Sequence, residues 1–369
     1  MDAKNKLLYL LFTDGEQLSG GREKDLATEF NLGLAHPLHY LIEPTSDISH
    51  LVLNNTIQGL STALLPQYSK WYENNRKKIV SANHENSCGA LAEIRALGFL
   101  YLSMKKYAKA IEPSLTIGTS APDFCISIDC GNNGEEEILV EVTTKNIVDS
   151  AKKGLQNYLS DRDIDPNKNR GSYSAFSFAP LGNESKRNDS WNGISDTTES
   201  AIRHIRRKFN RRKENQADES KFTILWFDMQ DKHFIGLVNS RNAFPIRSWG
   251  EAIHSGELWY ACYAKENLMV LQGDHHSEDT ALSIGVEGVF SKAGSMFDGV
   301  VFSLADANIF FENPYSQKTL SDSSRRFING LPNFRLEYSW MRWPLDDLLT
   351  RIENEHSRIN KLAIERKLH

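Results

Sequence analysis

The chain has 369 residues, 40% of them hydrophobic and 25% charged, the balance of a globular protein with room for a sizeable core. A net charge of −5 excludes a protein that is basic throughout, but not one with a local basic groove for nucleic acid. Cys88, Cys125, Cys130 and Cys262 form no CxxC pair, so neither a disulfide framework nor a structural zinc site is expected, and a reducing compartment is.

The first apolar run, Leu8 to Phe12, is too short for the core of a signal peptide, and Asp14 and Glu16 follow at once. No apolar stretch comes near the roughly 18 residues that would cross a bilayer. The expectation is therefore a cytoplasmic protein without a membrane partner. Residues 1–80 read as a helical region, with helical spacing across 47–65 and 64–80. From Ser87 to about 110 a helix carries Leu91, Ile94, Leu97 and Tyr101 on one stripe, and Pro113 is expected to end it.

Residues 122–128 alternate as a strand, Gly131-Asn132-Asn133-Gly134 gives strong turn signals, and 138–143 reads as a second strand. A helix followed by a β-hairpin results. A loop and helix are expected over 146–159, then a polar insertion over about 161–200. A basic helix spans 200–216, a buried strand 222–227, and further strands 268–271, 286–290 and 299–302. From Trp343 a charged helix presents Leu345, Leu348, Leu349 and Ile352 on one face. The sequence thus divides into a helical region (1–80), an α/β domain (81–315) and a carboxy-terminal helical extension (316–369).

Two carboxylates draw attention. Asp123 follows Pro122, whose fixed φ gives a stiff entry to the strand. Glu141 interrupts the apolar run Ile138-Leu139-Val140-Glu141-Val142, where a carboxylate is costly to bury without a partner cation. Glu141 on the solvent face of an amphipathic strand is the plainer alternative. A pair of carboxylates on adjacent strands suits Mg²⁺ or Mn²⁺, since magnesium takes oxygen ligands and typically one or two carboxylates. Such an ion stabilises charge on phosphate oxygens and helps generate hydroxide from water.

Pro122-Asp123 with Glu141-Val142-Thr143, in the contexts Gly118-Thr119-Ser120-Ala121-Pro122-Asp123-Phe124 and Leu139-Val140-Glu141-Val142-Thr143, resembles the PD…(D/E)xK pattern of the restriction-endonuclease-like nuclease superfamily. The likeness covers about residues 87–230 and is similar to bacterial members with a PDF…VEVT pattern. It implies an α/β fold with a central mixed sheet flanked by helices, and Mg²⁺- or Mn²⁺-dependent hydrolysis of phosphodiesters, in DNA rather than RNA. Asp123 and Glu141 would bind the metal and Glu93 on the preceding helix would be a further acid, though a surface acid near Arg95 is the alternative for Glu93. The resemblance further implies a setting in bacterial restriction or anti-phage defence, as a homodimer or with a partner protein.

One position departs from the pattern. The superfamily's lysine, which orients water and stabilises negative charge, falls at Thr143. Lys145 shares a strand face with Glu141 and Thr143 if the strand continues, and Lys208 is a second candidate. An ordinary solvated lysine is the alternative for Lys145. Arg203, Arg206, Arg207, Lys208, Arg211 and Arg212 crowd the basic helix and are candidates for phosphate contacts, with a solvated face balanced by nearby acids as the alternative. Two further readings remain: a catalytically degenerate nucleic-acid-binding module on the same fold, and a subunit of a larger complex. Asp274-His275-His276 reads as a polar loop, Asn313-Pro314-Tyr315 as a plain turn, and the tryptophans at 226, 249, 259, 340 and 343 as core or interface anchors.

Overall fold

A computed structural model of the chain describes residues 3–11, 36–42, 44, 46–81, 83–114, 121–144, 220–230, 240–245, 247–249, 252–254, 256–274, 277–284, 287–343 and 347–367. It is an α/β structure: a six-stranded mixed sheet flanked by helices. Among the described residues, no helix is long and apolar enough to cross a membrane.

The amino-terminal helices are α1 (Ala3–Leu11), α2 (Pro37–Ile42), α3 (Asp47–Ala63) and α4 (Ser69–Ile79), followed by the long α5 (His84–Tyr107). Ser46 and Ser49 form a reciprocal capping box at the start of α3. Asn83 caps α5, its side-chain oxygen accepting from the N–H groups of Glu85 and Asn86 at 2.9 and 3.2 Å. Leu91, Ile94 and Leu97 of α5 are buried, as their spacing requires. The helix begins earlier than the sequence pattern suggests because the Asn83 cap, rather than the first apolar residue, sets its start.

α3 and α5 cross with their backbones in contact. A Cβ added at Gly98 would lie 2.7 Å from Gly59 Cα, and one added at Gly59 would lie 2.2 Å from the Ile94 carbonyl oxygen. Glycine is needed at both positions for this close approach. The crossing fixes the height at which α5 lies over the sheet.

Strands β1 (Ala110–Pro113), β2 (Phe124–Asp129) and β3 (Glu135–Thr144) form an antiparallel meander, and β4 (Phe222–Asp228) lies parallel to β3. Two small antiparallel pairs follow, β5 (Arg247–Trp249) with β6 (Ala252–His254) and β7 (Leu268–Asp274) with β8 (Ser277–Ile284), separated by α6 (Glu257–Tyr263). β9 (Gly299–Ser303) then runs parallel to β4, and β10 (Asn308–Glu312) pairs antiparallel with β9. The sheet order is β1-β2-β3-β4-β9-β10. Two helices close the chain, α7 (Asp322–Asn329) and α8 (Leu348–Lys367).

Every residue of β4, β9 and β10 is buried, which accounts for their continuous apolar runs. β2 alternates instead: Phe124, Ile126 and Ile128 are buried, and the residues between them are not. Gly131 and Gly134, at φ 62° and 85°, close the β2–β3 connection with left-handed backbone that side chains disfavour.

One core lies between α3–α5 and a sheet face formed by Phe124, Ile126, Ile138, Val140 and Trp226. The second gathers Leu225, Phe227, Val300 and Phe302 with Trp259 and Tyr263 of α6 and Ile352 and Ile359 of α8. Trp226, Trp259 and Trp340 are core residues, in keeping with the sequence reading.

Three local expectations are corrected. Pro113 does not end α5, which stops at Tyr107; it sits in β1 at the sheet edge, where a missing N–H is tolerated. Residues 287–290 form no strand. Phe290 is instead anchored in the second core, its N–H donating to the Cys262 carbonyl at 2.7 Å. The partner of β7 is β8, whose sequence Ser-Glu-Asp-Thr lacks the apolar alternation that marks a strand.

Two glycines of α5 should respond oppositely to alanine. Nothing lies within 4 Å of a Cβ at Gly89, so Gly89→Ala should raise stability by about 0.5–1 kcal/mol through helix propensity. Gly98→Ala should lower it by about 1–3 kcal/mol, because α3 must move. Urea unfolding of the two variants checks this, and equal shifts would contradict the tight crossing.

Candidate active site

The antiparallel ladder of β2 and β3 runs from Asp129↔Glu135 to Phe124↔Val140 and stops there. β3 continues through Thr144, still paired with β4 up to Asp228. Carried one residue further, the register sets Asp123 across from Glu141. Asp123 itself lies just past the paired residues, and its negative charge and that of Glu141 oppose one another. Asp123 also turns one carboxylate oxygen back to the strand: its Oδ2 accepts the Val142 N–H at 2.7 Å.

Glu93 approaches Asp123 from α5. Its side chain is 18% exposed, and Lys78 Nζ of α4 lies 3.9 Å from its Oε1. Burial raises the pKa of Glu93, against the charge of Lys78 and a hydrogen bond from the Asn75 side chain. Asp123 is raised well above the usual carboxylate range. Burial is the first cause, the negative charges of Glu93 and Glu141 the next, and the Val142 N–H and Lys78 only partly offset them. Oε2 of Glu141 is itself out of solvent's reach.

Of the three acids named from sequence, Asp123 therefore stands close to each of the other two, Glu93 of α5 and Glu141 of β3. Glu93 is not a surface partner of Arg95. Two residues apart on a helix they point to different sides, and Arg95 forms a buried ion pair with Asp228. Thr143 lies two residues beyond Glu141 on the same strand face, in register with Phe227, and is half-buried. It brings no cation to the acids. Lys145, Lys208 and the basic residues Arg203, Arg206, Arg207, Arg211 and Arg212 lie outside the described residues, as do His275 and His276.

Nothing in the sequence singles out Asn75 and Lys78, which belong to an Asn-Arg-Lys-Lys run within the helical spacing of 64–80. Only the packing of α4 against α5 selects them. Spaced three apart, they share one helix face.

The donor chemistry fits a hard divalent cation: carboxylate oxygens from two neighbouring strands, collected in a half-buried place where their charges oppose one another. The acids are not drawn into a ready-made cage. Among the described residues, no group of three or more His, Cys, Asp or Glu side chains is arranged to hold a metal ion. Magnesium asks for less, usually one or two carboxylates with water and phosphate completing its shell.

A shallow pocket of about 540 Å³ lies at the opposite end of β3, lined by Glu135, Glu136, Glu137, Lys221 and Lys318. Its charges are engaged locally, Lys221 with Glu137 at 2.5 Å and Lys318 with Asp298 at 3.1 Å. It is remote from the acids and has no part in their chemistry.

No family model matches the chain, and no curated protein or solved structure matches it either.

The raised pKa of Asp123 has a consequence for stability. A group whose folded pKa lies above its unfolded value of about 3.9 contributes stability that is fully present below that value and is lost as pH rises through the folded pKa. Asp123→Asn removes that charge yet keeps an oxygen for the Val142 N–H. In EDTA at pH 8 the variant should therefore melt higher than the natural protein, with the gap closing towards pH 4. Thermal unfolding across this range checks it, and a variant that melts lower at pH 8 would contradict the like-charge cluster.

Proposed function

We propose that the chain is a metal-dependent nuclease with a restriction-endonuclease-like core, acting on phosphodiester bonds in DNA rather than RNA. The observation that carries this reading is Asp123, just past the end of the β2–β3 ladder, bonded to the Val142 N–H and flanked by the negative charges of Glu93 and Glu141. The element order supports it: the helix bearing Glu93, then the hairpin whose strands bear Asp123 and Glu141, within a mixed sheet flanked by helices. The sequence resemblance implies an order of this kind, a helix followed by the strands that bear the two acids.

In this reading Asp123 and Glu141 hold Mg²⁺ or Mn²⁺, which when bound neutralises charge on the phosphate and makes water a better nucleophile. The chain's own groups orient and exchange protons around it. The Val142 N–H fixes one oxygen of Asp123, leaving the other to face the site. Glu93, its pKa raised by burial, is suited to take a proton from the attacking water. The basic residues 203–212 would supply phosphate contacts along the nucleic acid.

Thr143 favours one rival, a nucleic-acid-binding module on the same fold without turnover, because a threonine cannot replace a lysine's charge. That rival predicts salt-sensitive binding with no metal-dependent cleavage.

Purified protein incubated with plasmid, single-stranded DNA and RNA should cleave DNA only when Mg²⁺ or Mn²⁺ is added. Asp123→Ala and Glu141→Ala should reduce cleavage to that of the EDTA control. Undiminished cleavage by Asp123→Ala would exclude this mechanism, and binding without cleavage by the natural protein would favour the rival.

A further inference from the structure

We propose that Lys78 is the phosphate-facing cation of the carboxylate site, presented by α4 in place of the basic residue that Thr143 cannot supply. This assignment rests on the nuclease reading and names a catalytic residue within it. Three observations lead to it.

Lys78 Nζ stands 3.9 Å from Glu93 Oε1, while 48% of its side chain remains exposed. The ammonium thus reaches Glu93, acts by its charge on Asp123, and still faces the solvent from which a substrate would arrive.

Lys78 also lies in the last turn of α4, with Arg76 and Lys77. The carbonyl end of a helix favours a positive charge, which steadies the ammonium there. Its exposed stem leaves it free to turn from Glu93 to a phosphate oxygen.

The third observation is Asn75, one turn earlier on the same face and only 1% exposed. Its side-chain amide hydrogen-bonds Glu93, while its Oδ1 is buried with no hydrogen-bond partner among the described residues. A buried amide that leaves an acceptor unmet normally costs stability. Its presence beside Lys78 indicates that this face of α4 is shaped around the acids, not merely packed against α5.

The chemistry balances without a proton from Lys78. The water oxygen bonds to phosphorus as the bond from phosphorus to the leaving ester oxygen breaks. One water proton passes to a carboxylate and on to solvent, and the leaving oxygen takes a proton from solvent. Lys78 stays protonated throughout, and its charge offsets the negative charge on the non-bridging oxygens.

The test uses the full chain with fluorescein-labelled single-stranded and duplex DNA oligonucleotides. In EDTA, fluorescence anisotropy should show Lys78→Met binding several-fold more weakly, with the slope of log affinity against log salt reduced by about one. Lys78→Arg should keep both, and Lys77→Met, an exposed neighbour, should change neither. With Mn²⁺ added, Lys78→Met should turn over about 100-fold more slowly. Natural turnover in Lys78→Met overturns the assignment. If Asp123→Ala is inactive in the same assay, the nuclease reading survives and only the role of Lys78 falls. If the natural protein neither binds nor cleaves the oligonucleotides, both fall together.

Discussion

The ion pair between Arg95 and Asp228 is the constraint on which the site's geometry depends. Arg95 Nε and Nη2 each donate to one oxygen of Asp228 at 2.9 Å, and the two side chains are 4% and 0% exposed. The pairing is extended on both sides. Arg95 Nη1 reaches Thr56 of α3 at 3.4 Å, and Asp228 Oδ1 accepts the Gln230 N–H at 3.1 Å. Gln230 then bonds Asn55 and Ser303 at 2.8 and 2.9 Å. Two charges this far from water gain little net stability from each other. Removing one partner, however, costs about 3–5 kcal/mol, because the other is left buried and uncompensated. The pair therefore acts as a register pin, locking α5 to the end of β4 and, with it, the position of Glu93 two residues away.

Asp228 and Asp123 show the fold treating two acids at the same end of the sheet in opposite ways. Thr144, Asp228 and Ser303 stand in register across β3, β4 and β9. At Asp228 the sequence supplies a guanidinium with matched donors. At Asp123 it supplies one backbone N–H and two more carboxylates. A chain able to satisfy a buried acid fully in one place has not done so a few strands away. Stability alone does not explain that difference, and the proposed cation site would give it a reason.

Sequence made part of this legible. Leu91, Ile94 and Leu97 announce α5 because a helix with one buried stripe has a period that a reader can count. Asp123 and Glu141 are legible because one follows a proline and the other breaks an apolar run. What binds them is not. Arg95 reads as a local partner for Glu93, and only the packing of α5 on β4 gives it to Asp228. Lys78 is one of several basic residues at a helix end, and its distinction arises from a contact made between helices. β8 is not legible in the sequence because its strand character comes from pairing with β7, not from an apolar alternation of its own. The glycines at 59 and 98 are unremarkable singly and meaningful only as a crossing.

The point where β2 stops and β3 continues explains why the site lies where it does. Inside the ladder each strand N–H and carbonyl is consumed by its neighbour, and no room remains for a ligand. Beyond Phe124↔Val140, the Val142 N–H has lost its strand partner and takes the Asp123 carboxylate instead. The same step opens the sheet edge to both faces. Val140 and Val142 lean towards the core under α3–α5, so Glu141 and Thr143 lie on the other side, beside Leu225 and Phe227. Lys78 and Glu93 approach from the helical side. A phosphate seated at this edge would meet a carboxylate pair from the hairpin and an ammonium from the helices, from two directions that a single strand bearing both groups could not provide. In the proposed role, Lys78 of the helical layer supplies the charge that the threonine at position 143 lacks.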